Sequence, residues 1–560
     1  MTRLALPTAA FLLTATALPL AAQAPRAPGI LRQRIALDTG WRFHLGDPPG
    51  NTVALRYERR PDVAGRRDDG PADARPTVTA GATARDTSVL RPWILPMANP
   101  FIRDPARRHA PPASPWSGDV PYLRADFDDG AWRRVTLPHD WAIEGPWLTT
   151  GDVGGMGRLP TAGVAWYRRT LHIPARDADR SIFLDVDGAM SYATVWLNGR
   201  LVGGWPYGYA SWRVDLTSHV VPGGVNQLAI RLDNPPASSR WYPGAGLYRD
   251  VWLTTTAPVH VAHWGTVVRT RRLSRTSATL DLDVTVDNDG RQNATVRVAT
   301  RIHTLDAAGR PTGIAVAASN ARDVLVPAGA SRAVRATAII ADPRRWGPPP
   351  RQRPHRYLAV TTLSRGGRVV DRYETRFGIR EVRFDPDSGV RVNGERIPLR
   401  GVNMHHDLGA LGAAFNVRAA ERQLEKLREM GANAIRMSHN PPAPELLELT
   451  DRMGFLVMDE AFDVWARGKT PLDHHLFFAD WHEADLRAMV RRDRNNPSVI
   501  LWSIGNEVGE QYTGAEGAAL ARRLVDIVRE EDPTRPVTAA MNYAGPEMPL
   551  PAVLDVISLN

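Results

Sequence analysis

The chain has 560 residues, 43% hydrophobic and 23% charged, with 70 basic and 60 acidic side chains and no cysteine. That length exceeds one ordinary hydrophobic core, so two to four domains are expected, and the composition excludes a disordered or collagenous chain. Without cysteine there are no disulfides, thiolates or Cys-zinc sites. The net charge of +10 comes from dispersed arginine: only Lys426 and Lys469 are lysines, and no recognised nucleic-acid motif accompanies the charge.

The start, MTR followed by LALPTAAFLLTATALPLAA, is a short basic segment and an apolar stretch too short and proline-interrupted for a good membrane span. Ala22-Gln23-Ala24 forms a small-residue cleavage site. Residues 1–24 are therefore expected to be a signal peptide, and the mature protein periplasmic or secreted, with an uncleaved N-terminal anchor as the alternative. No other stretch is long and apolar enough to span a bilayer.

Residues 25–256 read as one β domain. WYRRTLHI, SIFLDVDG, SYATVWLNGRLVGG, NQLAIRLDN and DVWLTTT are short alternating runs split by Gly, Asn and Pro, as in a jelly-roll sandwich. Leu197-Asn198-Gly199-Arg200 is a hairpin with Asn-Gly at its centre. Within this domain, 48–118 is a low-complexity insertion rich in Arg, Pro, Ala and Asp, expected as a long surface loop. Residues 257–380 continue the β rhythm at a length that suits one immunoglobulin-like sandwich. Asp287-Asn288-Asp289-Gly290 is a hairpin turn rather than a calcium loop, because the closing Glu of an EF-hand is missing.

At about 381 the rhythm changes to strands alternating with helices. PLRGVNMH, ANAIRMSHN, FLVMDEAF, SVILWSIGNE, RPVTAAM and LDVISLN are strands, and amphipathic segments separate them. In the first helix, AAERQLEKLREMG, Leu424, Leu427 and Met430 are predicted to share the core-facing side. Continuous apolar strands with helical crossovers predict a parallel sheet, here a (β/α)8 TIM barrel over 381–560. Six strands are counted where a barrel needs eight, so a C-terminal truncation is expected.

Active sites in such barrels gather at the C-terminal ends of the strands. That rule selects His405 after the first strand and Arg436, His439 and Asn440 after the second. It selects Asp459, Glu460, Asp463 and Trp465 after the third, and Asn506 and Glu507 after the fourth.

These segments also resemble a known family. DDGAWRRVTLPHDWAIEGP, WYRRTL, ATVWLNGRLVGGWPYGYASWRVDLTSHV and SSRWYPGAGLYRDVWL carry the likeness in the first domain. RGVNMHHDLGALG, LREMGANAIRMSHNPP, GFLVMDEAFDVW and NNPSVILWSIGNE carry it in the barrel. Together they resemble glycoside hydrolase family 2, the family of β-galactosidases, β-glucuronidases and β-mannosidases. The order jelly roll, immunoglobulin-like domain, barrel matches.

The resemblance implies that Glu507 is the general acid/base of a retaining exo-glycosidase and that Asn506 binds the sugar 2-hydroxyl. It places the nucleophilic Glu at the end of a seventh strand, beyond Asn560; Glu460 and Glu547 are not expected to replace it. It implies His405 and His439 around the sugar, with His406 a core or rim histidine. Arg436 is expected to orient the catalytic carboxylates. Asp463 and Trp465 are expected to offer an acid and an aromatic face to the sugar, and Arg240, with Trp241, to reach over the pocket. Asp140 is a hydroxyl ligand or a structural salt-bridge residue.

Magnesium-dependent β-galactosidases of the family carry further Glu and His ligands after the third-strand Asp-Glu. AFDVWARGK has neither, so no catalytic metal and no cofactor are expected, and His474-His475 is expected at the surface. The predicted function is hydrolysis of terminal β-D-galactosides, with β-glucuronidase or β-mannosidase as rivals. A non-catalytic carbohydrate-binding protein is the reading from another class. The predicted partner is a carbohydrate; nucleic acid is not expected, and homo-oligomerisation is left open.

Overall fold

A computed structural model describes residues 31–57, 60, 78–79, 89–149 and 158–560. The expected signal peptide and much of the 48–118 insertion lie outside the described residues.

The first sandwich pairs a four-stranded and a six-stranded antiparallel sheet. At the centre of the larger one, Gly163–His172 and Val225–Asn234 pair over their full ten residues. The Asn-Gly hairpin forms as read: Leu197 pairs with Arg200, and Asn198 and Gly199 both have positive φ.

The second sandwich packs a three-stranded sheet on a five-stranded one. The strands Ser277–Asn288 and Ala294–Leu305 flank the Asp287–Gly290 turn. Alternating exposure along Ser277–Asn288 matches its period-two pattern.

The barrel segment begins after a small antiparallel sheet over 382–396. Its elements are β1 (Gly401–Met404), α1 (Val417–Glu429), β2 (Ala434–Met437), α2 (Pro444–Met453), β3 (Leu456–Glu460), α3 (His475–Asp493), β4 (Val499–Asn506), α4 (Ala515–Glu531), β5 (Val537–Met541) and β6 (Ser558–Leu559). Among the described residues the six strands pair in parallel, in chain order, as an open part of a TIM barrel. Every residue of β4 is buried, as expected of a strand covered on both faces.

One apolar core runs from the first sandwich into the barrel. Trp205 packs edge-on against Trp481 at 4.6 Å, and Trp205 Nε1 donates to Asp485 at 2.7 Å. The Tyr207 hydroxyl lies 2.8 Å from both Asn440 Oδ1 and the carbonyl of Ala461 and donates its one hydrogen between them. These contacts join the first sandwich to the barrel, and the Leu472 N–H, donating to the Ala237 carbonyl at 3.0 Å, ties the sandwich loop over 235–243 to it.

Three expectations are corrected. The described part of the insertion is a surface loop only in part: residues 103–118 are mostly exposed, but Leu90, Ile94 and Ala98 are buried, and Tyr57 takes a hydrogen bond from Trp481 at 2.8 Å. Its proline and arginine hid the few apolar residues that dock it. His474 and His475 are buried rather than exposed, because carboxylates satisfy them: Asp485 at 3.1 Å and Asp473 at 2.6 Å. Met430 is 79% exposed, since it follows the last helical residue and so leaves the apolar stripe that Leu424 begins.

Candidate active site

The site lies at the C-terminal ends of β1–β5, with the sandwich loop above it. It begins with β4. Ser503, in register with Glu460 on β3, donates to it at 2.6 Å. Ile504 is buried, and its carbonyl accepts from Trp465 Nε1 at 2.7 Å. Gly505 leaves room for that indole: a Cβ there would stand 2.8 Å from Trp465 Nε1. The strand then delivers Asn506, which is buried, and Glu507, which is partly exposed and has φ +46°.

Asn506 is the hub. Its Oδ1 accepts from Arg436 at 2.8 Å and from Asn560 at 2.9 Å, and its Nδ2 donates to Asp463 at 2.8 Å. Glu507 Oε1 accepts from Asn560 at 2.9 Å, and its Oε2 is 3.8 Å from the Arg240 guanidinium.

Arg240 also donates to Asp463, at 2.8 Å. Lys469 reaches the same carboxylate at 2.7 Å. Burial would push the Asp463 carboxyl upward, but the Lys469 ammonium and the Arg240 guanidinium outweigh it and hold the group well below the usual carboxylate range. Asp463 is therefore ionised.

Glu460 is fully buried and saturated. Arg436 forks onto both its oxygens at 3.0 and 3.1 Å, and His439 Nδ1 lies 2.6 Å from Oε1. With Ser503 on Oε2, no oxygen is open to attack a substrate. Trp241 stands over both site histidines, 4.9 Å from His405 and 5.1 Å from His439 between ring centroids. Burial, with His439 alongside, lowers His405 below the ordinary imidazole value, so the ring is neutral near pH 7 and can both donate and accept. His405 Nδ1 is buried and has no hydrogen-bond partner among the described residues. His406 turns away and contacts the carbonyl of Pro243 at 3.0 Å; burial pushes it down to about 3.

The structure thus gathers His405, Arg436, His439, Asp463, Asn506, Glu507 and Arg240 into one cluster. Two predicted ligands are not in it. Trp465 has no exposed surface, so it has no face to offer a sugar; the partly exposed aromatic at the site is Trp241 instead. Asp140 has no salt-bridge partner among the described residues, and both its oxygens are taken within the protein rather than offered to a sugar. It is buried and accepts from the backbone N–H groups of Ala142, Ala245 and Ala413 at 3.0, 3.1 and 2.9 Å, and from the Tyr242 hydroxyl at 2.6 Å. One residue of the cluster escaped the sequence reading, Lys469; Glu460 is the third-strand rim residue expected there, held by Arg436, His439 and Ser503. The one available signal for Lys469 was its rarity among 68 arginines. Among the described residues, no group of three or more His, Asp or Glu side chains is arranged to hold a metal ion. No helix among them is long and apolar enough to cross a membrane.

Three family models match consecutive segments: a glycosyl hydrolase 2 galactose-binding domain-like model over 161–242, glycosyl hydrolases family 2 over 259–380, and its TIM barrel domain over 386–559. The chain belongs to glycosyl hydrolases family 2. Among relatives in this family, it is 42% identical to beta-galactosidase BoGH2A of Bacteroides ovatus over 468 residues, covering 78% of this chain and 54% of that one. It is 28% identical to a beta-glucuronidase of Bacteroides fragilis over 433 residues, covering 74% and 59%. A solved family 2 structure from Bacteroides cellulosilyticus superposes with a TM-score of 0.76 at 30% identity, covering 95% of this chain and 59% of that one. The chain therefore spans little more than half the length of the family 2 proteins it matches.

Proposed function

We propose that this protein is a retaining exo-glycosidase that removes terminal non-reducing β-D-galactose. The observation that carries the reading is Glu507: a partly exposed carboxylate at a strand end, beside Arg240 and joined through Asn506 to the Arg436, His439 and Glu460 cluster. In the proposed mechanism Glu507 protonates the glycosidic oxygen as the bond breaks, then takes a proton from the water that attacks the glycosyl-enzyme. Asn506 Nδ2 has two N–H groups. One is held by Asp463 and the other is available to a sugar 2-hydroxyl. Neutral His405 serves hydroxyls on the opposite side. The attacking carboxylate is expected from a seventh strand, at ~5–5.5 Å from Glu507 as double displacement requires.

The choice of galactose rests on the 42% identity to the Bacteroides ovatus beta-galactosidase. A β-glucuronidase is the second reading, favoured by the likeness to the Bacteroides fragilis enzyme and by the Arg240 cation at the rim, which a uronate could share with Asp463. The test is hydrolysis of nitrophenyl β-galactoside, β-glucuronide and β-mannoside by the gene product extended past Asn560. Galactoside is expected to react fastest, and Glu507→Gln to lose about 10²–10⁴-fold. Faster glucuronide cleavage overturns the substrate choice. Binding without hydrolysis of any of the three favours a carbohydrate-binding protein. Export is part of the proposal, and a mature N-terminus near Pro25 is the expected result of N-terminal sequencing.

A further inference from the structure

Lys469 is the odd cation of this chain. The other lysine, Lys426, is exposed on α1 and pairs with Glu429, where an arginine would serve as well. Lys469 has only 1% of its side chain exposed and lies beneath the site. Its Nζ donates to Asp463 Oδ1 and to the backbone carbonyl of Asn506, both at 2.7 Å. A compact ammonium on an unbranched stem can bridge two acceptors in a closed space, which the planar fork of arginine does not fit in the same way.

That carbonyl belongs to the peptide joining Asn506 to Glu507. The N–H of the same peptide donates to the Ala540 carbonyl on β5 at 2.7 Å. The peptide is thus held at both ends. Immediately after it, Glu507 has φ +46°, a left-handed conformation that is uncommon and costly for a residue with a Cβ. Such a conformation persists where the surroundings over-determine it. Rotating this peptide would swing the Glu507 carboxyl away from Arg240 and Asn560.

We infer that Lys469 is a positioning residue for Glu507: its ammonium pins the Asn506–Glu507 peptide to Asp463 and so aims the carboxyl at the leaving-group oxygen. The aiming rests on Glu507 being the acid/base of the proposed reaction. The pinning does not.

Two readouts separate these claims, with Lys469→Met as the test and Lys426→Met as the lysine-loss control. In hydrogen exchange of the 560-residue chain, Lys469→Met is expected to speed exchange of the Glu507 amide by about 10-fold or more, with Lys426→Met at the wild-type rate. Unchanged exchange in Lys469→Met overturns the pinning. In hydrolysis by the extended gene product, an alkyl glycoside needs protonation of its leaving group and a 2,4-dinitrophenyl glycoside does not. Lys469→Met is expected to lose about 10²-fold on the first and less than about 5-fold on the second. Equal losses on both overturn the aiming. A wild type that hydrolyses neither overturns the glycosidase reading and the aiming with it, while the exchange result still decides the pinning. Should Lys469→Met fail to fold by circular dichroism, Lys469→Arg, which keeps a cation beside Asp463, is read by the same two criteria.

Discussion

Arg240 Nη2 donates to Asp463 Oδ1 at 2.8 Å, tying the first sandwich to the barrel across 223 positions of sequence. Both side chains are mostly buried, so the pair is shielded from solvent and salt. Arg240→Ala leaves Asp463 with Lys469 as its remaining cation. The expected loss is about 2 kcal/mol of stability, below the 3–5 typical of an unpaired buried charge because Lys469 stays. Chemical denaturation measures it. A double-mutant cycle with Asp463→Asn should give a coupling of about 1–3 kcal/mol; additive losses would mean the contact contributes nothing.

Glu460, like Asp463, is heavily bonded: Arg436, His439 and Ser503 surround its two oxygens. Glu460→Gln keeps its shape but turns half of the acceptor into a donor facing Arg436. The expected loss is about 3–5 kcal/mol, the cost of leaving a buried guanidinium without its counter-charge. A drop in melting temperature should accompany a loss of sugar binding, because His439 loses its anchor at 2.6 Å. Isothermal titration with the monosaccharide tests the second part.

Asp140 makes the opposite prediction. It gathers three backbone N–H groups from three separate segments, so Asp140→Ala orphans all three. The expected cost is about 3 kcal/mol in stability. Since the carboxyl does not face the sugar site, KM of the extended gene product should change by less than about 3-fold. A large KM change with normal stability would restore it as a substrate ligand.

Glu510 sets a pH dependence. It follows the site in the turn after Glu507, and burial pushes its carboxyl up to about 7. One oxygen accepts from the Arg467 N–H at 2.9 Å, and the other has no hydrogen-bond partner among the described residues. The folded state therefore binds more protons than the unfolded state between pH 4.5 and 7, so this group's contribution to stability falls as pH rises through that window. Asp451, also raised by burial to about 7, acts in the same direction. The expected result is that Glu510→Gln is more stable than wild type at pH 8 by a few kcal/mol, the advantage shrinking towards pH 5. Melting temperatures of both proteins across that range decide it; parallel curves would remove Glu510 as the source.

Local patterns along the chain were enough to place the sandwich strands, the Asn-Gly hairpin, the six parallel strands and the rim that holds Asn506 and Glu507. Those signals are local: alternation, continuous apolar runs and turn chemistry depend on neighbours a few positions away. Only the tertiary structure separated Asp463 from Asp140 and Trp241 from Trp465. Each pair shares its chemistry, and the difference lies in which distant groups arrive. Asp140 meets the Ala413 amide and Asp463 meets Arg240 and Lys469. Trp465 is covered by β4, while Trp241 stands between two histidines. Burial is a property of the whole assembled core, so no local pattern records it.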